Sequence, residues 1–148
     1  MAKVDYFSAK RPLVGNKDIE CGDICVIKEF DHKIFLGIID VLGHGQDAHE
    51  VAIICKYYLE RHYKIDLIEI IEGLHKHIRS TRGTVAGLGL LDIESGEFRY
   101  LGMGNTVARI FGLKIKRIPP KPGVVGYVIR TPRVQTFQLN DGDVLVMY

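Results

Sequence analysis

The chain is 148 residues long, 47% hydrophobic and 26% charged, with a formal net charge of +2. That length suits one domain with a full hydrophobic core, and the composition is that of a soluble globular protein. The charge is too small to argue for nucleic acid or an anionic membrane as partner. No apolar stretch is long enough to cross a bilayer, and the N-terminus reads without a signal-peptide h-region. The three cysteines, Cys21, Cys25 and Cys55, are odd in number and sit in apolar segments. That pattern fits reduced thiols in a cytoplasm better than a disulfide framework.

Taken in order, Val4 to Ala9, Asp23 to Phe30 and Lys33 to Ile39 read as three strands. The last contains the continuous apolar run Ile34–Ile39, suited to burial on both faces. Two amphipathic helices follow. In the first, Ala48, Val51, Ala52, Cys55, Leu59 and His62 share a face at helical spacing. The second begins at Asp66, with Glu69 completing a capping-box-like start, and its apolar stripe is Leu67, Ile70, Ile71, Leu74 and Ile78. Strands resume at Thr84–Asp92, Glu97–Leu101, Thr106–Phe111, Gly126–Arg130, Val134–Leu139 and Asp143–Tyr148. Glu94-Ser95-Gly96 and Asn140-Asp141-Gly142 supply turns, and the proline-rich run from Ile118 to Gly123 reads as a loop. Segregated strands and helices make this an α+β fold. The expectation is two packed, mostly antiparallel sheets, with the helix pair covering one of them.

Function concentrates at Asp40-Val41-Leu42-Gly43-His44-Gly45, directly after the apolar run. A carboxylate at the end of a buried strand needs a partner or a cation, unless it merely caps the next helix. Asp31-His32 is a plausible two-residue hairpin turn. It would pair Phe30 with Lys33 and, counting outward, bring Asp23 opposite Asp40. Opposed residues on one sheet face have Cβ atoms about 4.5–5.5 Å apart, so two ionised carboxylates there repel unless one is protonated or a cation lies between them. Carboxylate oxygens favour Mg²⁺ or Mn²⁺. The alternative is a pair of exposed carboxylates at fraying strand ends, and a one-residue slip would separate the two side chains altogether.

Cys21-Gly22-Asp23 and the D-x-x-G-H-G-x-x-A run from Asp40 to Ala48 resemble the first two motifs of the metal-dependent serine/threonine phosphatases, the PPM or protein phosphatase 2C-like group. The closer resemblance is to its bacterial SpoIIE-type branch, and within that to the stand-alone stressosome phosphatases. Arg82-Gly83-Thr84-Val85-Ala86, Leu91-Asp92 and Gly102-Met103-Gly104-Asn105 fit that branch's middle strands. The resemblance implies a β-sandwich flanked by helices, with residues 1–148 a single phosphatase domain. It implies hydrolysis of phosphoserine or phosphothreonine at a Mn²⁺ or Mg²⁺ two-metal centre, on a phosphorylated STAS-domain or stressosome scaffold protein. Asp40 would bridge the metals as the catalytic carboxylate, the Val41 carbonyl would ligate one, and Asp23 would bind through its side chain. His44 would hydrogen-bond the turn and start the helix, with proton transfer as its alternative role.

The same branch also carries aspartates in a Thr-Asp-Gly and an Asp-Asp motif, and neither motif occurs in this sequence. The strand Asp143–Tyr148 is of the kind that precedes Thr-Asp-Gly, so the expectation is that the natural protein continues and that this domain lacks its C-terminal part. A non-catalytic, phosphatase-like binding module is the alternative function. Cys21, Cys25 and His44 match no usual zinc spacing, and Gly102-Met103-Gly104 reads as a tight strand junction. His75 and His77 do not share a helix face and read as surface residues. Lys114, Lys116, Arg117 and Lys121 read as a solvated stretch or a docking surface for an acidic or phosphorylated partner.

Overall fold

In the computed structural model, residues 3–11 and 21–148 are described. A five-stranded antiparallel sheet runs in the order β1-β2-β3-β4-β9, formed by Asp23–Phe30, Lys33–Val41, Thr84–Asp92, Glu97–Met103 and Gln135–Gln138. A three-stranded sheet has the order β10-β5-β6, from Val144–Met147, Ala108–Phe111 and Ile115–Ile118. A small ribbon pairs β7, Gly123–Val124, with β8, Val128–Ile129. The helices α1, Gly45–His62, and α2, Leu67–His77, lie between β2 and β3 in the chain. The α+β sandwich read from the sequence is the observed fold.

The first hairpin forms in the expected register. Asp31 and His32 both have positive φ, 45° and 60°, the pattern of a type I′ turn whose twist matches the flanking strands. Phe30 pairs with Lys33, and the ladder runs without a bulge to Asp23 opposite Asp40. Asp66 caps α2 by accepting a hydrogen bond from the Ile68 amide at 2.8 Å.

Two cores follow from the alternation of strand side chains. Phe35, Ile39 and Val41 of β2 and Ile24 and Val26 of β1 point to the helix side, where they meet Ala52, Cys55 and Leu59 of α1 and Leu67, Ile70 and Leu74 of α2. Ile34 and Leu36 point the other way, into a core shared with Phe98, Tyr100, Ala108, Ile110 and Ile118. Each fully buried side chain of this size contributes about 1.5–3 kcal/mol relative to exposure. The helix pair therefore seals one face of the large sheet, and the small sheet seals the other.

Several boundaries differ from the sequence reading. Val4 to Ala9 forms no strand: Val4 packs on the second core, but Phe7 is 89% exposed and the segment joins no ladder. Apolar residues alone do not make a strand without an edge to pair with. The basic stretch at Lys116-Arg117 contains β6, and the proline-rich loop gives way to β7. The expected strand Gly126–Arg130 shrinks to the two residues of β8. β5 begins at Ala108, although mutual backbone bonds between Val107 and Tyr148, 2.7 and 2.9 Å, extend its pairing with β10. His75 is half-buried, and its Nδ1 accepts the Gly126 amide at 2.9 Å, tying α2 to the ribbon. Burial, then the Arg79 and Lys76 charges, hold its pKa below the usual value. No helix of the described residues is long and apolar enough to cross a membrane.

Candidate metal centre

Asp23 and Asp40 are direct cross-strand partners at the open end of the first hairpin. On β1, Ile24 and Val26 face the helices and Ile27 faces the second sheet, so the alternation puts Asp23 on the second-sheet face. The same alternation on β2 puts Asp40 there too. The large sheet thus carries two carboxylates where its inter-sheet core ends. Asp40 is solvent-accessible and Asp23 half-buried, so this is a rim site rather than a sealed one. Partial burial raises the Asp40 pKa first, and the Asp23 charge and a hydrogen bond between the two carboxyls raise it further.

Backbone contacts fix the strand end. Val41 is buried, and its amide donates to the Gly22 carbonyl at 3.1 Å, carrying the pairing one residue past the carboxylates. Thr84, fully buried on the neighbouring strand, donates its hydroxyl to the Asp40 carbonyl at 2.7 Å, with the Val85 carbonyl at 2.9 Å as a second acceptor. His49 of α1 places Nδ1 3.0 Å from the Cys21 carbonyl, so the Nδ1–H tautomer donates there and anchors the approach to Asp23. The chain leaves Val41 through Gly43 and Gly45, both left-handed at φ 89° and 81°. His44 stands at the N-cap of α1 in extended conformation, but its side chain makes no capping bond, contrary to the expectation that it bonds the turn. The sequence carries Thr84 only as part of a motif and a strand, and gives His49 no role. Thr84 lies 44 residues from Asp40 and His49 lies 28 from Cys21, and no local pattern announces either contact.

Two carboxylates and a backbone carbonyl are hard oxygen donors, and the mutual repulsion of the acids is what a divalent cation would relieve. The donor set fits part of such a centre. Among the described residues no three acidic, histidine or cysteine side chains gather at one point. The three thiols are free, Cys21 and Cys55 buried and Cys25 half-buried.

No family model matches the sequence, and no curated protein matches it. Solved structures do match. A chain described with the bacterial stressosome, "a modular system that has been adapted to control secondary messenger signaling", is 29% identical with a TM-score of 0.85; the match covers 93% of this chain and 71% of that one. RsbX in complex with magnesium is 21% identical at a TM-score of 0.83, covering 99% of this chain and 77% of that one. The PP2C phosphatase domain of SpoIIE from Bacillus subtilis is 22% identical at 0.69, covering 84% and 40%. The fold is that of the SpoIIE- and RsbX-type PP2C phosphatases, as the motif resemblance implied.

Proposed function

We propose that this protein is a Mn²⁺- or Mg²⁺-dependent phosphatase that hydrolyses phosphoserine or phosphothreonine on a bacterial signalling protein. The observation that carries the reading is the register of the first hairpin, which opposes Asp23 and Asp40 at the end of a sheet of this fold. Asp23, Asp40 and the Val41 carbonyl would hold the cations. When bound, divalent cations make water acidic enough to attack phosphorus in line and offset the charge that develops on the phosphoryl group. The chain's own part is positional. Thr84 fixes the Asp40 backbone, the Gly22–Val41 bond keeps the two strand ends together, and Asp23 keeps Asp40 in need of a counter-charge.

The substrate we infer is a phosphorylated STAS-domain or stressosome scaffold protein in the cytoplasm. Its support is the motif resemblance and the likeness to a stressosome-associated chain and to RsbX. The second reading is a phosphatase-like module that binds such a partner without turnover, and the gathering of no third acidic, histidine or cysteine side chain beside Asp23 and Asp40 among the described residues favours it.

The test is hydrolysis of a generic phosphoester and of a phosphorylated STAS-domain protein with added Mn²⁺. Activity that disappears in Asp40→Asn supports the enzyme. Full activity in that variant would overturn the assignment of Asp40. An inactive parent that still binds the phosphoprotein supports the binding module.

A further inference from the structure

We propose that Arg82 is a positioning residue for this centre, clamping the turn that carries the chain from Asp40 into α1; this rests on the phosphatase reading for its consequence, though not for its geometry. Arg82 lies in the irregular segment between α2 and β3. Its Nη1 donates to the Leu42 carbonyl at 3.2 Å, and its Nη2 stands 3.6 Å from Oδ2 of Asp47 in the first turn of α1. The next residue, Gly83, accepts the Leu42 amide at 3.1 Å. Residues 82 and 83 therefore hold Leu42 by both of its backbone groups, two positions after Asp40.

The turn has little else to hold it. Its two glycines are left-handed, and α1 starts without a side-chain cap. The guanidinium passes directly under Gly43, where a Cβ would overlap Nη1, so Gly43 is required by the clamp as well as by its own φ. A planar guanidinium can bond the carbonyl and face the carboxylate at once, whereas an ammonium is a single point charge. Arg82 thus joins three pieces of chain: the end of β2, the start of α1 and the approach to β3. Losing it would leave Asp40 and Val41 in their strand, with the Leu42 amide still on Gly83, but loosen the turn that follows the Val41 carbonyl.

The experiment compares Arg82→Ala, Arg82→Lys and Asp47→Asn with the parent, all as the full chain. Three readouts are followed: amide hydrogen exchange at residues 42–46, Mn²⁺ binding by electron paramagnetic resonance, and kinetics on a small phosphoester. Arg82→Ala should speed exchange in the turn by about tenfold or more, the loss expected of a charge-assisted hydrogen bond. It should weaken Mn²⁺ binding by about 10–100-fold and lower kcat with KM little changed. Arg82→Lys should recover only part of this. Asp47 is 82% exposed, so Asp47→Asn leaves the fold alone and should loosen the turn by a smaller factor.

Unchanged exchange in both Arg82→Lys and Asp47→Asn would overturn the clamp. A raised KM with kcat intact would also overturn it, because Arg82 would then be contacting substrate directly. A parent that neither binds Mn²⁺ nor hydrolyses phosphoesters sinks the phosphatase reading alone, and turn exchange still decides the clamp.

Discussion

On the helix side of β2, Phe35, Gly37, Ile39 and Val41 lie beneath α1 and α2 and are buried without interruption to the end of the strand. On the opposite side, Ile34 and Leu36 enter the core between the sheets, Ile38 continues the row and Asp40 ends it at the solvent. One strand therefore has a face that is apolar throughout and a face whose last position is a charge opposed by another charge. The first face stabilises the fold. The second gives up some stability at its end, which is the usual mark of a position kept for binding.

Four substitutions test this contrast, in descending order of effect. Phe35→Ala, at a side chain with no exposure, should lose about 3–5 kcal/mol in urea unfolding. A loss under about 1 kcal/mol would mean that the helix face is not the main core. Gly37→Ala should cost about 1–3 kcal/mol by the same measurement, because its Cβ would come within 3.0 Å of Leu59 Cδ1 and 3.2 Å of Phe35 Cε1. Asp66→Ala removes the cap of α2 and should lower stability by about 1 kcal/mol, read as a drop in melting temperature, with phosphoester turnover unchanged.

Asp40→Asn should have the opposite sign. With a chelator present, removing one of two opposed charges should raise stability by about 0.2–1 kcal/mol. Added Mn²⁺ should then favour the parent, since only the parent gains stability from binding. A variant that melts lower than the parent without metal would break the contrast between the faces.

A carboxylate on the next strand sharpens the point by pH. Asp92 accepts the Ser95 and Glu94 amides at 3.0 Å each, and these bonds, with that to Ser95 the largest cause, pull its pKa below the usual value. A folded pKa below the unfolded one contributes stability above the ordinary carboxylate range, and that stability is lost as pH falls through the lowered pKa. Asp92→Asn should flatten this small acid loss in melts taken from neutral to acidic pH. If the acid loss were the same in parent and variant, the turn bonds would not be its source.

Much of this was legible because local chemistry set it. Asp31-His32 tolerates the two positive φ values that a tight hairpin demands, so the pairing of Asp23 with Asp40 could be counted from the turn. The stripes at Ala48–Leu59 and Leu67–Ile78 likewise announce helices that must cover something. Val4–Ala9 stays out of the sheets, β6 and β7 form where the sequence reads a basic stretch and a loop, and β8 is shorter than expected, because short strands depend on whichever edge is free beside them. Lys116 and Arg117 are found in a strand since β5 offers a partner at Phe111 to Ala108.

The sequence by itself determined the α+β layout, the hairpin register and the two opposed acids, because turn geometry and apolar periodicity act over a few residues. Only the tertiary structure decided that both acids face the inter-sheet side at its open end. It alone gave Thr84, His49 and Arg82 their contacts, with partners 44, 28 and 40 residues away. Contacts at that separation leave no periodic trace in a chain. They exist only once β3 has docked beside β2 and α1 has closed over β1 and β2.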